Sequence, residues 1–466
     1  MSLLLAVLIA AAPADVAPPE FFAGNDELRA YLVEAAENSP ELQGLYAEWK
    51  AAMARIPQAK SLDDPQLTYT QFLKSDLTRF GVELMQMFPW FGTLKARGDQ
   101  ATAEADAALE RLYGARNRLF EDVKTAYHDY AFLGQSIDTT HAEAKLLSDM
   151  EDNVTSRYGV GLAAEADVLR VQIEQSRLED QYNQFLQQRA SASARLAALL
   201  GREAAKELPW PKDVELPPPP PPAPVVLAQL RLKNPALTEM DRVIKGREVG
   251  IDLAKRKRYP NVTVGLGFND MKPPEKMPAE WPSRAYVEGG TQLLRTGKVD
   301  AVGIANDIAM DETIKKISPK PDPMSDEVMV SVGVNVPIWR KRINGGIEEA
   351  KQMEQAAVSE KRSRILTLEV EAREALFQMH DARRRYDLYT DVLIPRSRQA
   401  YESLQSKYSA GDKGTTFLDV LGGVQEVLNY ELERLRARRD LMVGGARLER
   451  IMGGPWRTEE GTKSEE

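Results

Sequence analysis

Phe80-Gly-Val-Glu-Leu-Met-Gln-Met-Phe88-Pro89-Trp90-Phe91 and Val328-Met-Val-Ser-Val-Gly-Val-Asn-Val336-Pro337-Ile338-Trp339 state one pattern twice. In each, apolar residues alternate with polar or small ones, the period of a strand with two unlike faces. Each run meets a proline and a tryptophan. Each then gives way to a long stretch of helical periodicity, expected to be one unbroken helix. A repeat of that size bounds the fold more tightly than any single motif.

Working outward, the landmarks recur in order. Asn38-Ser39-Pro40-Glu41-Leu42 corresponds to Asn234-Pro235-Ala236-Leu237, Pro65 to Pro260, and Pro89 to Pro337. Arg157-Tyr158-Gly159-Val160-Gly161 answers Lys407-Tyr408-Ser409-Ala410-Gly411. Asp167-Val168-Leu169 answers Asp419-Val420-Leu421, and Leu199-Leu200-Gly201 answers Ile451-Met452-Gly453. The first repeat is therefore placed at 25–211 and the second at 225–457, with a proline-rich linker at 212–224. Pro217 to Pro222 make that linker an extended polyproline II spacer. Residues 458–466 read as a disordered tail. The copies differ mainly between their strands. The first has a few polar residues there, around Ser75 to Arg79; the second has an insertion at 270–326, rich in Pro, Gly, Lys and Asp. An insertion that large is tolerated most easily at an exposed loop tip.

The 466 residues include 28 prolines and 30 glycines, clustered so that long helical stretches stay clean. A net charge of -9 argues against a nucleic-acid partner, because phosphate binding needs a basic surface. With no cysteine, disulfides, thiolate metal sites and a lipid-bearing N-terminal cysteine are excluded. Leu3 to Ala12 read as the apolar core of a secretory signal over 1–17, although no Lys or Arg precedes them. No other segment has the ~20 apolar residues of a membrane helix. A chain of this kind spans a membrane only with strands.

Four strands are expected, at about 65–74, 80–88, 260–269 and 327–336. Val262, Val264, Leu266 and Phe268 alternate with Thr263, Gly265, Gly267 and Asn269. Val328 to Val336 repeat this against Met329, Ser331, Gly333 and Asn335. Leu67, Tyr69 and Leu73 share a face of the first strand, and Val82, Leu84 and Phe88 a face of the second, with Met85 and Met87 opposite. Strands of about ten residues cross a bilayer when tilted as in a barrel. A soluble half-buried sheet gives the same alternation. Closed barrels need about eight strands or more, so a membrane reading demands several copies of the chain.

Helical hairpins are expected at about 91–201 and 339–453. Leu112, Leu119, Val123, Ala126, Tyr130 and Leu133 form a seam in the first. Ile365, Leu368, Ala372, Ala375, Met379, Ala382 and Tyr386 form one in the second, and Leu418, Leu421, Leu428, Leu432 and Leu435 one in its returning helix. These are coiled-coil seams. A helix of some 65 residues spans roughly 95–100 Å, far beyond a compact domain. Charged runs such as Arg383-Arg384-Arg385 are solvated faces.

The duplicated plan of two strands and a long hairpin resembles the TolC-like outer membrane efflux factors. The residues that carry the resemblance are Asn-Pro-x-Leu at Asn234, Asp64-Pro65-x-Leu67, Phe88-Pro89-Trp90, and Tyr-x-x-Gly followed by Asp-Val-Leu in both halves. Ile56-Pro57-Gln58-Ala59 is closest to the heavy-metal and drug efflux branches. The resemblance implies a mixed α/β membrane protein. A homotrimer would hold a twelve-stranded β-barrel, four strands from each chain, continued by an α-helical coiled-coil tunnel in the periplasm. The barrel-to-tunnel junction would fall at Pro89, Trp90, Pro337 and Trp339.

The resemblance also implies an outer membrane exit duct extending into the periplasm of a Gram-negative-type bacterium. A periplasmic adaptor would join it to an inner membrane pump of RND or ABC type. The insertion would be extracellular. The hairpin tips Tyr158 to Gly161 and Tyr408 to Gly411 would contact the adaptor. Asp167 would help hold the aperture shut, with Lys413 as a basic partner, and Asp419 would line the entrance. The second tip is about two residues longer, and a second entrance acid of the family is Gly422 here. A carboxylate on each of three chains forms a ring that selects cations and can be locked by ion pairs. An aspartate capping the returning helix is the plainer reading of both residues.

Outer membrane channels of type I protein secretion share this plan. A soluble periplasmic coiled-coil scaffold is the reading from a different class. An enzyme of the di-iron bundle type needs Glu-x-x-His pairs. Thr125, Asp138 and Phe377 precede His128, His141 and His380 at that spacing, so the motif is absent. No cofactor or metal is expected. Most of the 15 methionines, such as Met379 and Met442, fall on helix seams.

Overall fold

The computed structural model describes residues 26–74, 78–203, 208–211, 216–271, 326–412 and 414–455. The expected signal, nearly all of the insertion, the tail and Lys413 lie outside the described residues, and the linker is described only from Leu216. The chain runs α1 (Asp26–Asn38), α2 (Pro40–Lys60), β1 (Gln66–Gln71), β2 (Thr78–Phe88), α3 (Thr93–Gly159) and α4 (Glu165–Leu199). It continues with α5 (Ala223–Lys233), α6 (Pro235–Arg256), β3 (Asn261–Met271), β4 (Glu327–Asn335), α7 (Arg340–Leu388), a π-turn (Tyr389–Leu393), α8 (Ile394–Ser409) and α9 (Phe417–Met452). β1 is shorter than its alternation promised, and β2 and β3 each extend two residues further at one end.

Two compact units emerge. One comprises residues 1–49, 107–241 and 360–466; the other comprises 50–106 and 242–359. The division falls inside α2, α3, α6 and α7, so each unit draws on both sequence repeats.

The second unit holds an antiparallel sheet of order β1-β2-β3-β4. Its register lines up like with like. Leu67, Leu84, Leu266 and Val330 form one cross-strand row, and Tyr69, Val82, Phe268 and Val328 another. The opposite face aligns Thr68, Glu83, Gly267 and Met329. The small residues there have a physical reason. A Cβ on Gly265 would collide with the Ser331 hydroxyl and crowd Glu83, whose Oε1 accepts from that hydroxyl at 3.5 Å.

The other unit is helical. α3 runs 67 residues, ~100 Å at 1.5 Å per residue. No proline interrupts it, and it stops just before Gly161, whose φ of 75° belongs to the left-handed region. The counterpart in the second repeat is broken, against expectation. α7 ends at Leu388, and a π-turn precedes α8, which carries Pro395 in its first turn. Proline cannot donate to the ladder, and the wider i→i+5 bond, from the Ile394 N–H to the Tyr389 carbonyl, absorbs the defect.

The seams are buried largely as their spacing required. Leu112, Val123, Ala126 and Tyr130 join Leu32, Leu42 and Leu196 in one core. Leu368, Ala372, Ala375, Met379 and Ala382 join Val226, Leu230, Leu237 and Leu448 in its counterpart. A third core joins the distal parts of both hairpins through Leu147, Val154, Val171, Phe185, Phe417, Val424 and Leu432. Leu418 is the exception: it is 51% exposed, because it lies in the first turn of α9 and points away from the seam.

The remaining repeat landmarks meet in space. Asn38 Nδ2 donates to the Leu200 carbonyl at 3.0 Å, and Asn234 Nδ2 donates to the Ile451 carbonyl at 2.7 Å. The glycine after each returning helix, Gly201 or Gly453, takes positive φ beside its asparagine segment. Each repeat is thus clasped shut, by an asparagine that satisfies a carbonyl left over at a helix end.

Candidate functional site

Two regions present chemistry beyond packing, one in each unit. The first is the sheet. Its apolar face is bare: Leu67 is 70% exposed, Val328 68%, Val330 62% and Leu266 55%. A soluble half-buried sheet covers such a face with its own core, whereas here contiguous β-branched and aromatic residues face outward. Met85, Met87 and Met329 lie on the opposite, polar-and-glycine face. β1 and β4 have one strand neighbour each among the described residues, so each offers an unpaired edge.

The junction residues cluster at one end of the strands. The Trp90 ring stacks on Tyr259 at 5.0 Å, which ties the end of β2 to the start of β3. Gly92 takes φ 76°, and beside it Arg256 Nη1 donates to the Phe91 carbonyl at 2.8 Å. Phe91, Ile338 and Trp339 are largely exposed. Amphipathic rings at strand ends mark the headgroup level of a membrane. Pro89 and Pro337 end the ladder because neither can donate to it.

The second region is the pair of hairpin tips, both in the helical unit. Residues 160–164 join α3 to α4, and residues 410–416 join α8 to α9, so the second tip is the longer. Gly161 and Gly411 take φ of 75° and 77°, which only glycine adopts without strain. The tips touch through Arg157, whose guanidinium lies 4.4 Å from the centre of the Tyr408 ring. Tyr408 packs in turn on Phe417 at 5.7 Å. Burial raises the Tyr408 phenol above its usual range; the Arg157 charge opposes this and Asp167 adds to it. Tyr158, Val160, Leu162, Leu169 and Ile173 stay exposed around the tips.

Asp167 and Asp419 both cap the returning helices. Asp167 Oδ2 accepts from the Ala164 N–H at 3.4 Å, and Oδ1 meets Arg170 at 3.3 Å. Ala164 has no side-chain acceptor, so only half of a capping box forms there. At Asp419 the box is complete. Its Oδ2 accepts from the Thr416 N–H and hydroxyl, each at 2.7 Å, while Thr416 Oγ1 accepts from the Asp419 N–H at 3.3 Å. The Thr416 hydroxyl and N–H hold the Asp419 carboxyl below the usual carboxylate range. Asp419 is exposed and Asp167 half-buried, so capping leaves each carboxylate partly open to water. Sequence reasoning missed the Arg157–Tyr408 contact. The signal for it was the basic residue preceding each tip tyrosine.

Among the described residues, no group of three or more His, Cys, Asp or Glu is placed to hold a metal ion. Met379 and Met442 are core residues, as their seam positions required. Among the described residues, no helix is long and apolar enough to cross a membrane.

The duplicated plan, a strand pair followed by a long helical hairpin in each repeat, defines the fold. The sequence pattern of the outer membrane efflux protein family matches residues 31–202. Solved structures extend the likeness to nearly the whole chain. The outer membrane protein VceC from Vibrio cholerae is 17% identical, with a TM-score of 0.69 over 92% of this chain and 97% of that one. CusC is 14% identical, with a TM-score of 0.71 over 95% and 96%. The MtrE outer membrane channel of Neisseria gonorrhoeae is 15% identical, with a TM-score of 0.67 over 92% and 89%. No curated protein sequence matches the chain. Residues 31–202 thus carry the sequence pattern of the outer membrane efflux protein family, and nearly the whole chain shares the fold of these solved proteins.

Proposed function

We propose that this chain is the outer membrane channel of a tripartite efflux system. It is a passive exit duct for small molecules or metal ions. An inner membrane pump drives the export through a periplasmic adaptor. The observation that carries the reading is the open four-stranded sheet with one bare apolar face and, among the described residues, an unpaired strand at each edge. An open edge in lipid leaves backbone groups unsatisfied, so the sheet enters a bilayer only as part of a closed barrel. Three copies supply twelve strands, enough to close around a water-filled lumen lined by the glycine-rich face. A soluble scaffold has no use for such a face.

In this reading the hairpins line the periplasmic duct, and their tips close it. Asp167 and Asp419 each become a ring of three carboxylates, favouring cations and limiting flow. Helix capping and gating use the same carboxylate at different times, since a cap lost to a neighbour's cation frees the tip to move. Exposed apolar residues at the tips, Leu162 and Leu169 among them, suit an adaptor surface.

The test is purification and planar-bilayer recording. The wild type is expected to be a detergent-dependent trimer of low conductance, and Asp167→Ala is expected to raise that conductance. A monomer would overturn the architecture. Unchanged conductance in the variant would remove Asp167 from the gate while leaving the channel reading intact.

A further inference from the structure

The second hairpin carries a break that the first lacks, and an unusual polar cluster lies directly beyond it. Arg398 of α8 donates to Glu431 Oε1 of α9 at 2.5 Å, and Arg434 holds the other oxygen of that carboxylate at 2.8 Å. Glu431 is 9% exposed, and this pairing is what makes its burial tolerable. Facing the pair from α3 is Glu143. Its Oε1 is buried without a hydrogen-bond partner among the described residues, and so is the Tyr401 phenol oxygen of α8. The Thr390 hydroxyl, inside the π-turn, is a third such atom. Glu143 acts electrostatically on Tyr401, and Glu431 and Arg398 act on Glu143. On its own helix His141 and Lys145 stand two residues to either side, and the His141 ring lies 6.2 Å from that of Tyr182 on α4. One carboxylate of the cluster therefore has both arginines, and the other has none.

An unpaired buried carboxylate is costly when ionised and cheap when protonated. Protonation also gives it a donor, and the Tyr401 phenol oxygen, itself without a hydrogen-bond partner among the described residues, is an available acceptor once the segment closes on it. Ionisation instead sets Glu143 against Glu431 in competition for Arg398, the cation that bridges α8 to α9 beside their apolar packing. The geometry points to Glu143 as a proton-dependent latch: its neutral form holds the segment Ile394–Ser409 against α3, and the π-turn Tyr389–Leu393 is the hinge on which that segment swings when Glu143 ionises. The latch stands on the cluster alone; its bearing on channel opening rests on the reading proposed above.

Burial and then the Glu431 charge push the Glu143 carboxyl up to about 7, against the pull of Arg398. The packed arrangement thus holds its proton more tightly than the released one. Its stability is full below the ordinary carboxylate range and is lost as pH rises towards 7. A shift of that size sets a ceiling of about 300-fold on the ratio of packed to released segment. Glu143 is partly open to water, which screens it, so a change on the order of tenfold is expected.

Hydrogen exchange of the full-length protein in detergent reads this directly. After correction for intrinsic exchange rates, protection of residues 394–409 is expected to fall about tenfold between pH 5 and pH 8, while α4 residues 171–185 stay constant. Glu143→Gln is expected to stay protected at both pH values. Glu431→Gln, which removes the like charge, is expected to lower the midpoint of the wild-type transition. The latch is overturned if wild-type protection is the same at both pH values, if Glu143→Gln keeps the fall, or if Glu431→Gln leaves the midpoint unmoved. Parallel bilayer recordings separate the two readings. A protein that shows the exchange transition but forms no channel refutes the efflux reading and leaves the latch standing.

Discussion

Replacing Asn234 with alanine tests whether the clasp that closes each repeat is a working part of the fold. Asn234 is 4% exposed and has two obligations. Its Nδ2 satisfies the Ile451 carbonyl at 2.7 Å, and its Oδ1 accepts from the Ala236 N–H at 3.0 Å, capping α6. Alanine leaves a buried carbonyl short of a partner, at about 1–3 kcal/mol. It also removes a helix cap, at about 1 kcal/mol. The sum is about 2–4 kcal/mol. The first repeat supplies an internal control. Asn38 makes the matching bond to Leu200 at 3.0 Å in a less buried setting, but there Ser39 provides the cap, with its Oγ accepting from the Leu42 N–H at 3.3 Å. Asn38→Ala is therefore expected to cost about 1 kcal/mol. A long chain with two compact units does not unfold in one step, so a global midpoint is the wrong observable. Local hydrogen exchange at the Gly453 and Gly454 amides, which bond to Arg450 and Glu449, is the right one. Asn234→Ala is expected to lower protection there on the order of a hundredfold. Asn38→Ala is expected to lower it about fivefold at the equivalent Gly201 and Arg202 amides. Equal losses in the two repeats, or a larger loss at Asn38, would refute the division of labour between side chains.

Gly453→Ala is expected to destabilise the end of α9 by about 2 kcal/mol or more, from the left-handed conformation and a backbone collision with the Lys233 carbonyl. Gly201→Ala, also at positive φ, meets the Asn38 Cβ at 2.7 Å and its carbonyl at 3.5 Å, a looser approach than the one to the Lys233 carbonyl at Gly453, and is expected to cost less; local hydrogen exchange at the ends of α4 and α9 ranks the two variants. His128 is buried against Tyr127, and burial, with the charges of Lys124 and Arg438, lowers its imidazole to about 3. The folded state therefore excludes the proton, and stability falls as pH drops below the ordinary histidine range. The loss reaches up to about 2 kcal/mol at pH 5. After correction for intrinsic exchange rates, His128→Gln is expected to lose less amide protection in α3 around residue 128 than the wild type between pH 7 and pH 5, and an equal loss would show that His128 is not the sensor.

The strands were legible because a two-faced sheet imposes period two, and their face assignments agree with the observed register. The order of the repeat landmarks was legible too, but not their meeting. Asn38 and Leu200, or Asn234 and Ile451, are joined by hydrogen bonds across most of a repeat, and no local pattern announces such a contact. The break before α8 was missed for a different reason. The apolar period from Ile365 to Tyr386 runs to the edge of the π-turn, and the seam resumes beyond it, so only Pro395 marked the site. At the tips, the sequence left two roles open for Asp167 and Asp419, and the structure shows why. A carboxylate three residues into a helix caps it whatever else it does. Arg157 against Tyr408 joins different repeats, so the basic residue before each tip tyrosine did not say which ring it would meet.

The pairing of β2 with β3 imposes a schedule on the newborn chain. Phe88 must find Val262, and all of α3, α4, α5 and α6 are spelled out between them. Joining ends so far apart is slow until the intervening chain has condensed and drawn them together. The helical hairpins are local and form early; the sheet's central ladder forms late. Throughout that interval β1 and β2 exist as a two-stranded ribbon, marginal in water, with Leu67, Tyr69 and Leu84 uncovered. The chain is thus most prone to aggregate after its helices have folded, and an escort that shields this ribbon would protect it when it is needed most.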